Sequence, residues 1–346
     1  MRTYLFIILN VIFLSSLRAQ IGGEATYQFL DLPPSARSSS LSGSSIGLWD
    51  HDLNLALSNP SLLDSSMHKS LILNYADYIA DINYGTAGYA HYMEGKGIFA
   101  FAINYMHYGR FKEADETGQV IGQFTASDYA FNMLYSKPLS PKFQIGANLK
   151  FLYSNYYQYF SLGLALDAGI TYHNDDKNHS LALVIKHFGH QIKPYRQGNY
   201  ENLPFDMQLA FAQKLNHAPF RLLVALHHLH NWSMAYDSPL DEKSTVLGEE
   251  AEEIKKSTFD KVGDEFIRHL NVGAEIVPSK NVYIRIGYDF QKMKEMIIDQ
   301  KFGMVGFSVG AGIRIYKFHV SYARSVFHVA GATNTFSISS NLQEFF

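Results

Sequence analysis

Residues 302–346 constrain the fold more than any other stretch of the chain. Apolar residues alternate there with small or polar ones: Phe307, Val309, Ala311, Ile313 and Ile315 against Ser308, Gly310, Gly312 and Arg314. A period of two is typical of β-strands, because successive side chains point to opposite faces of the sheet. Strands that are apolar outside and polar inside, followed by a terminal Phe346, predict a β-barrel of the outer-membrane type.

The composition narrows the class of protein. No run of about 20 apolar residues follows the N-terminus, which argues against a helical membrane protein. The net charge of −3 argues against a nucleic-acid partner. The absence of Cys removes disulfide scaffolds and cysteine-based metal sites, and it fits a chain that crosses an oxidising periplasm. On composition alone, a large soluble β-sandwich or up-and-down β-protein stays open.

Residues 1–19 are predicted to be an export signal. Arg2 supplies the positive charge, residues 5–14 form an apolar core, and Ala19 is the small residue before cleavage at Gln20. The apolar core is too short to cross a bilayer as a helix. The pattern therefore predicts an exported protein, and the predicted barrel locates it in the outer membrane of a Gram-negative bacterium.

Two regions are expected in the mature chain. Residues 20–66 are predicted to be an irregular, plug-like segment in or under the barrel lumen, with short helical turns at 36–41 and 53–57. The Pro33–Pro34 pair breaks any longer regular element. Residues 67–346 are predicted to form an all-β, 14-stranded antiparallel transmembrane barrel.

The predicted strands follow one another along residues 67–346. They lie at about 68–76, 83–92, 97–108, 123–137, 142–154, 158–173, 179–189, 203–215, 218–229, 266–277, 280–290, 302–315, 317–326 and 333–343. The connections at one end are short. Long ones at the other end are expected at 109–122, 190–202, 230–265, 291–301 and 326–332. An even strand number places both termini on the periplasmic side, and the last strand must pair with the first near residues 70–77 to leave no edge in lipid.

Charged residues are predicted to line the lumen. They are Asp128, Lys150, Asp167, Lys186, Asp206, Glu275, Arg285, Asp289 and Arg314. A selective pore or a polar ligand site would use such groups. A network that neutralises itself in a filled barrel is favoured over both, because unpaired charges there would cost several kcal/mol. Inward-facing Gly and Ala leave room for the N-terminal segment.

Two further features contain groups that could take part in chemistry. The motif His227-His-Leu-His230 offers imidazoles, but no carboxylate or Cys lies at matching spacing, so a partner-facing or membrane-interface cluster is preferred to a metal site. The run Glu249-Glu-Ala-Glu-Glu253 before Lys255 predicts a short solvated helix. No nucleophile elbow, phosphate-binding Gly loop or carboxylate pair on a helix is present. The prediction is a chain that is not an enzyme, with no catalytic, cofactor-binding or metal residues.

Several motifs resemble those of a known family. These are IGGEATYQFLDLPPSAR at 21–37, LNLALSNP at 53–60, NYADYIADINYG at 74–85 and LPFD at 203–206. They resemble the PorQ family of the type IX secretion system. The SARSSSLSG phrase at 35–43 is shared more loosely with FadL-like barrels, which include PorV and have 14 strands and a lumenal N-terminal segment.

The PorQ resemblance implies a non-catalytic scaffold. Its partners would be a PorZ-like surface protein and PorU/PorV-type components of the attachment complex, which processes secreted cargo and attaches it to lipopolysaccharide. Docking would use the outer loops at 109–122, 190–202 and 230–265. The alternative is a FadL-like channel for hydrophobic small molecules. A barrel enzyme such as a lipase is a third hypothesis, and it lacks a visible nucleophile and base.

Overall fold

The computed structural model describes residues 25–174, 178–234, 258–296 and 304–345. The predicted export signal at 1–19, the acidic run at 249–253 and Phe346 lie outside the described residues. No helix within the described ranges is long and apolar enough to cross a membrane.

Fourteen antiparallel strands form one closed barrel, in which each strand pairs with its neighbours in sequence and the last pairs with the first. The strands are β1 (Ser70–Asp77), β2 (Asn83–Met93), β3 (Gly97–Ala114), β4 (Val120–Ser140), β5 (Phe143–Tyr156), β6 (Tyr159–Asn174), β7 (His179–Lys193), β8 (Asp206–Lys214), β9 (Phe220–Leu226), β10 (Leu270–Ser279), β11 (Val282–Asp289), β12 (Phe307–Ile315), β13 (Phe318–His328) and β14 (Gly331–Asn341). Ser70 lies opposite Asn341 and Asp77 opposite Asn334, which confirms the predicted closure.

The barrel wall has an apolar outer face and a polar or small inner face. In β5, Phe143, Ile145 and Phe151 are exposed, whereas Asn148 and Lys150 are buried. The same alternation recurs in β14, where Phe336 and Ile338 face outward. Exposed apolar strands of this kind suit lipid, since a soluble sheet would present polar side chains to water. The predicted fold class is confirmed.

The N-terminal segment lies inside the barrel as short helical turns. They comprise α1 (Ala36–Ser40), α2 (Leu53–Ala56) and 3₁₀ turns at Gln28–Asp31, Ser44–Gly47, Pro60–Leu62 and Ser65–Met67. Hydrogen bonds fix the segment to the inner wall. The Ala36 N–H donates to Ser337 Oγ of β14 at 2.8 Å, and Gln144 Nε2 of β5 donates to the Leu63 carbonyl at 2.9 Å. The two helical turns predicted at 36–41 and 53–57 are confirmed.

Close approach of this segment to the wall explains the inward glycines. A Cβ built on Gly146 of β5 would lie 2.3 Å from the Pro60 carbonyl carbon, and one built on Gly287 of β11 would lie 2.5 Å from that of Leu41. Larger residues at these positions would exclude the segment from the lumen.

The wall is higher on one side than on the other. Strands β3 to β7 have 18, 21, 14, 16 and 15 residues, whereas β8 to β12 have 7 to 10. The prediction of a loop over 109–122 is therefore wrong in extent, because the hairpin continues to Ala114 and resumes at Val120. Its upper part carries polar residues such as Lys112 and Gln123, which hide the apolar alternation.

Two helices occur where strands or loops were predicted. Helix α3 (Thr258–Arg268) occupies the start of the strand predicted at 266–277, and α4 (Phe290–Glu295) follows β11. An i,i+4 ion pair between Asp264 and Arg268 supports α3. Lys294 Nζ of α4 lies 2.6 Å from Asp264 Oδ1 and joins the two helices.

Candidate functional site

A cluster of buried charges fixes the N-terminal segment in the lumen. Arg37 of α1 is 5% exposed, and its guanidinium lies 2.6 Å from Asp50, 3.1 Å from Asp52 and 3.0 Å from Glu275 of β10. Arg221 of β9 contacts Asp50 at 2.7 Å and Glu275 at 2.9 Å. Charges of both signs therefore cross-link the segment to the wall.

Arg285 of β11 completes this lumenal cluster, with Nε 2.7 Å from Glu275 Oε1. Burial alone would raise the pKa of the Asp50 carboxyl, but the guanidinium groups of Arg37 and Arg221 outweigh burial and hold that pKa well below its usual range. Asp50 therefore stays ionised while it holds the segment.

The predicted lumen-facing charges are mostly paired. Lys150 Nζ lies 2.7 Å from Asp167 Oδ2, and Asp289 accepts from Lys292 Nζ at 2.8 Å. Asp128 accepts hydrogen bonds from the hydroxyls of Tyr108 and Tyr156. Arg314 differs, because its pair with Glu344 at 2.9 Å lies at the turn end of the barrel and is exposed. These contacts match the expected neutralising network.

Arg37, Asp50 and Asp52 were not among the predicted charges. Strand parity identifies lumenal residues only within strands, so it gives no information on a segment that enters the lumen as irregular chain. The one available signal was an isolated arginine beside a serine run, followed by two aspartates near Trp49. The spacing of residues along the chain does not indicate which residue of the barrel wall this arginine contacts.

The wall is broken on the outer side between β7 and β8. Their pairing ends at Lys186 opposite Asp206, while β7 continues to Lys193 and stays paired with β6. A register shift of β7 against β6 occurs here, and His187 has a left-handed φ of 57°. A bulge bends a strand away from its neighbour, which explains why β7 leaves β8 at this level.

A cavity of about 450 Å³ occupies this break, and we call it the wall cavity. Phe188 and Gly189 of β7 line one side, and Leu203 and Phe205 line the other. Ala25, Gln28 and Asp31 of the N-terminal segment also line it. Phe188 is 65% exposed on the outer face of the wall, so the cavity adjoins the surface that faces lipid.

The histidine motif lies beside the wall cavity. His228 and His230 line it, whereas His227 is buried and does not. The carboxylate that the spacing of the motif lacks is supplied by Asp206, the first residue of β8. Its Oδ1 lies 3.5 Å from His228 Nδ1 and 4.0 Å from His230 Nδ1.

A larger cavity of about 720 Å³ opens at the turn end of the barrel. Apolar, polar and charged residues line it, among them Trp49, His51, Asp64 and Lys137. The Trp49 ring stacks on His173 with centroids 4.0 Å apart. Asp50 and Arg221 of the lumenal cluster also line this cavity.

Comparisons with known proteins bear on the fold. No protein-family model matches the chain, and no curated protein does. Among solved structures, the P. putida toluene transporter TodX aligns with a TM-score of 0.51 at 10% identity, covering 88% of this chain and 98% of TodX. The Ralstonia pickettii toluene transporter TbuX aligns with a TM-score of 0.52 at 9% identity, covering 91% and 100%.

A TodX mutant described as a monoaromatic hydrocarbon channel aligns with a TM-score of 0.53 at 11% identity, covering 89% of this chain and 98% of that one. At identities this low, the structural superpositions establish a common fold and nothing further. The chain therefore has the barrel architecture of these hydrocarbon channels, and none of the three names describes a secretion component.

Proposed function

We propose that the chain is a non-catalytic outer-membrane barrel that takes up small apolar molecules through the wall cavity. The break between β7 and β8 carries this proposal. Seven residues of β7 beyond Lys186 have no strand partner on the β8 side, although β7 stays paired with β6 up to Lys193. An opening in a transmembrane wall gives an apolar molecule a route that avoids the polar lumen.

The shape and lining of the wall cavity support this route. Its volume lies within the roughly 300–1,000 Å³ of ligand pockets, and Phe188 and Phe205 place their ring centroids 6.4 Å apart at its mouth. The similar barrels are named as channels for toluene and other monoaromatic hydrocarbons, which suggests the class of molecule.

A single cysteine tests this route, because the native chain has none. The variant Phe205→Cys would be expressed in host cells and reacted with a bulky maleimide. Uptake of a radiolabelled monoaromatic hydrocarbon and of a radiolabelled long-chain fatty acid would then be measured. The label should block the wall cavity and reduce uptake of the transported class relative to unlabelled Phe205→Cys.

Phe211→Cys is the matched control. Phe211 also belongs to the β8 region, is 43% exposed on the outer face and does not line the wall cavity. Labelling at 211 should leave uptake unchanged. If labels at 205 and 211 have the same effect, or if cells with and without the barrel take up both compounds equally, the proposal is wrong.

A scaffold for a surface complex is the second candidate, and the unequal wall height favours it. The β3–β4 hairpin continues well beyond the level at which β8 and β9 end, and it presents Phe111, Val120 and Ile121 as exposed apolar residues near its tip. Under this hypothesis the hairpin docks a PorZ-like surface protein, with PorU/PorV-type components and lipopolysaccharide nearby.

Site-specific cross-linking distinguishes the scaffold from the channel. A photo-reactive label on Glu116→Cys, in the β3–β4 turn, should capture a PorZ-like protein in cells that make the secretion system. The same label on His217→Cys, in a turn at the opposite end of the barrel, should not. Equal capture at both positions, or none at Glu116→Cys, would exclude docking through the hairpin.

A further inference from the structure

Asp206, His228 and His230 form a compact group of potential metal ligands at the outer edge of the wall. Their ligand atoms all lie within 4.8 Å of one another. Asp206 is 4% exposed, whereas the side chains of His228 and His230 are 21% and 33% exposed. The group therefore has a buried anionic base and two imidazoles that solvent can reach.

The backbone holds this group together. The His228 N–H donates to Asp206 Oδ1 at 2.7 Å, and the Leu229 N–H donates to the Met207 carbonyl at 3.0 Å. His228 has a left-handed φ of 54°, a conformation that residues with a Cβ adopt rarely and that often marks functional sites. The turn after β9 is thereby folded back over the start of β8, which directs both imidazoles at one carboxylate oxygen.

We propose that Asp206, His228 and His230 bind a divalent first-row transition ion, with Zn²⁺ as the reference ion. Two imidazoles and one carboxylate suit such ions, which bind nitrogen at about 2.0–2.1 Å and carboxylate oxygen at about 2.0–2.2 Å. The present separations of 3.5 and 4.0 Å are close to those between ligands of one tetrahedral ion, so small side-chain rotations complete the site. Ca²⁺ and Mg²⁺ prefer oxygen ligands and are disfavoured.

The ion would connect two strand ends that border the break in the wall. Asp206 is the first residue of β8. His228 and His230 come directly after β9, and both histidines line the wall cavity. Open coordination positions would face this cavity. The proposal rests on the ligand geometry and is independent of whether the cavity admits an apolar molecule.

Metal titration of the purified full barrel, prepared with a tag that contains no histidine, tests the site. Isothermal calorimetry should give one Zn²⁺ per chain, and Co²⁺ should give visible d–d absorption typical of nitrogen and oxygen ligands. His230→Ala should weaken Zn²⁺ affinity at least about tenfold and remove the Co²⁺ absorption. Ca²⁺ should neither bind nor compete.

His190→Ala is the matched control, because His190 is an exposed histidine of β7 outside the ligand group and should leave the titration unchanged. Folding of each variant would be verified by its heat-modifiable mobility on gels. Absence of saturable binding would mean that Asp206 and His228 form an ordinary polar pair. Equal binding by His230→Ala and the native chain would place the ion elsewhere, and either result overturns the proposal.

Discussion

The Arg37 guanidinium and the Glu275 carboxylate lie 3.0 Å apart, although the residues are 238 positions apart along the chain. Glu275 is fully buried and also accepts from Arg221 and Arg285. A carboxylate shared by three guanidinium groups holds the N-terminal segment and three strands in one arrangement. The filled state of the lumen therefore depends on a small number of charges.

Removing the charge of Glu275 should destabilise the barrel. Glu275→Gln removes the carboxylate that pairs with the guanidinium groups of Arg37, Arg221 and Arg285. Loss of one partner of a buried ion pair lowers the free energy of unfolding by about 3–5 kcal/mol. The measurement is urea unfolding followed by the emission of Trp49, in a Trp232→Phe background. Trp49 is a suitable reporter because it stacks on His173 in the lumen.

Arg314→Met provides the comparison for Glu275→Gln. The Arg314–Glu344 pair is also short, but its side chains are 38% and 37% exposed, and exposed pairs contribute about 0–1 kcal/mol. A similar loss of unfolding free energy in both variants would show that the lumenal cluster is no more important than a surface pair.

Acid should weaken attachment of the N-terminal segment through Asp50. The neighbouring arginines lower the pKa of Asp50 in the folded state, so its contribution to stability is present at neutral pH and is lost as the pH falls. Most of the loss should occur below about pH 4, near the unfolded-state pKa of an aspartate. Unfolding free energies of the native chain and Asp50→Asn should therefore converge in acid.

A constant difference between these two proteins from pH 7 to pH 3 would contradict that role for Asp50. Glu94→Gln serves as the control variant, since Glu94 is an exposed carboxylate in the turn between β2 and β3. Its unfolding profile should remain parallel to that of the native chain over the acid range.

The strand number and closure could be predicted because lipid and lumen impose opposite polarity on alternate residues. That signal weakens where both faces meet water, and the upper parts of β3 and β4 were accordingly predicted as loop. The same limit explains why the end of α3 was predicted as the start of a strand, because its last residues include apolar ones. The sequence pattern is informative only where the environment on the two faces differs.

The candidate sites were less predictable than the barrel. Asp206 and His228 are 22 positions apart, and they meet because β8 and β9 form a hairpin whose outer ends lie side by side. The break beside them follows from a bulge at His187, which has no signature in the alternation. The contact and the bulge both depend on how neighbouring strands are aligned, which the alternation does not specify. The inward-facing glycines, by contrast, correctly predicted an occupied lumen.

Gly146→Ala should displace part of the N-terminal segment. Its added Cβ would fall 2.3 Å from the Pro60 carbonyl carbon, and this backbone atom cannot rotate away as a side chain does. Overpacking of this kind costs about 1–3 kcal/mol. Gly331→Ala is the control, because nothing lies within 4 Å of a Cβ there.

Limited proteolysis measures the effect of the Gly146 substitution. Cleavage after Arg37, which is buried in the native chain, should become faster in Gly146→Ala and stay slow in Gly331→Ala. Unchanged protection in both variants would show that the wall accommodates the methyl group, and that close packing at Pro60 does not hold the segment.

Trp232 should mark the membrane interface on the outer side of the barrel. It is 49% exposed, lies 6.5 Å from the Phe266 ring of α3, and stacks on His269 with ring centroids 4.8 Å apart. Val262 and Phe266 expose a further apolar surface on the same helix. Aromatic residues and amphipathic helices favour the interface, because one side is apolar and the other contacts water.

The two tryptophans of the chain allow this position to be measured directly. In lipid nanodiscs, Trp49→Phe leaves Trp232 as the only emitter, and lipids brominated near the headgroup should quench it more than lipids brominated deep in the chain. Trp232→Phe leaves Trp49, which the wall shields from both lipids. If neither lipid quenches the emission of Trp232, this residue and α3 lie in water above the membrane. The outer boundary of the lipid would then lie closer to the short turns at the opposite end of the barrel.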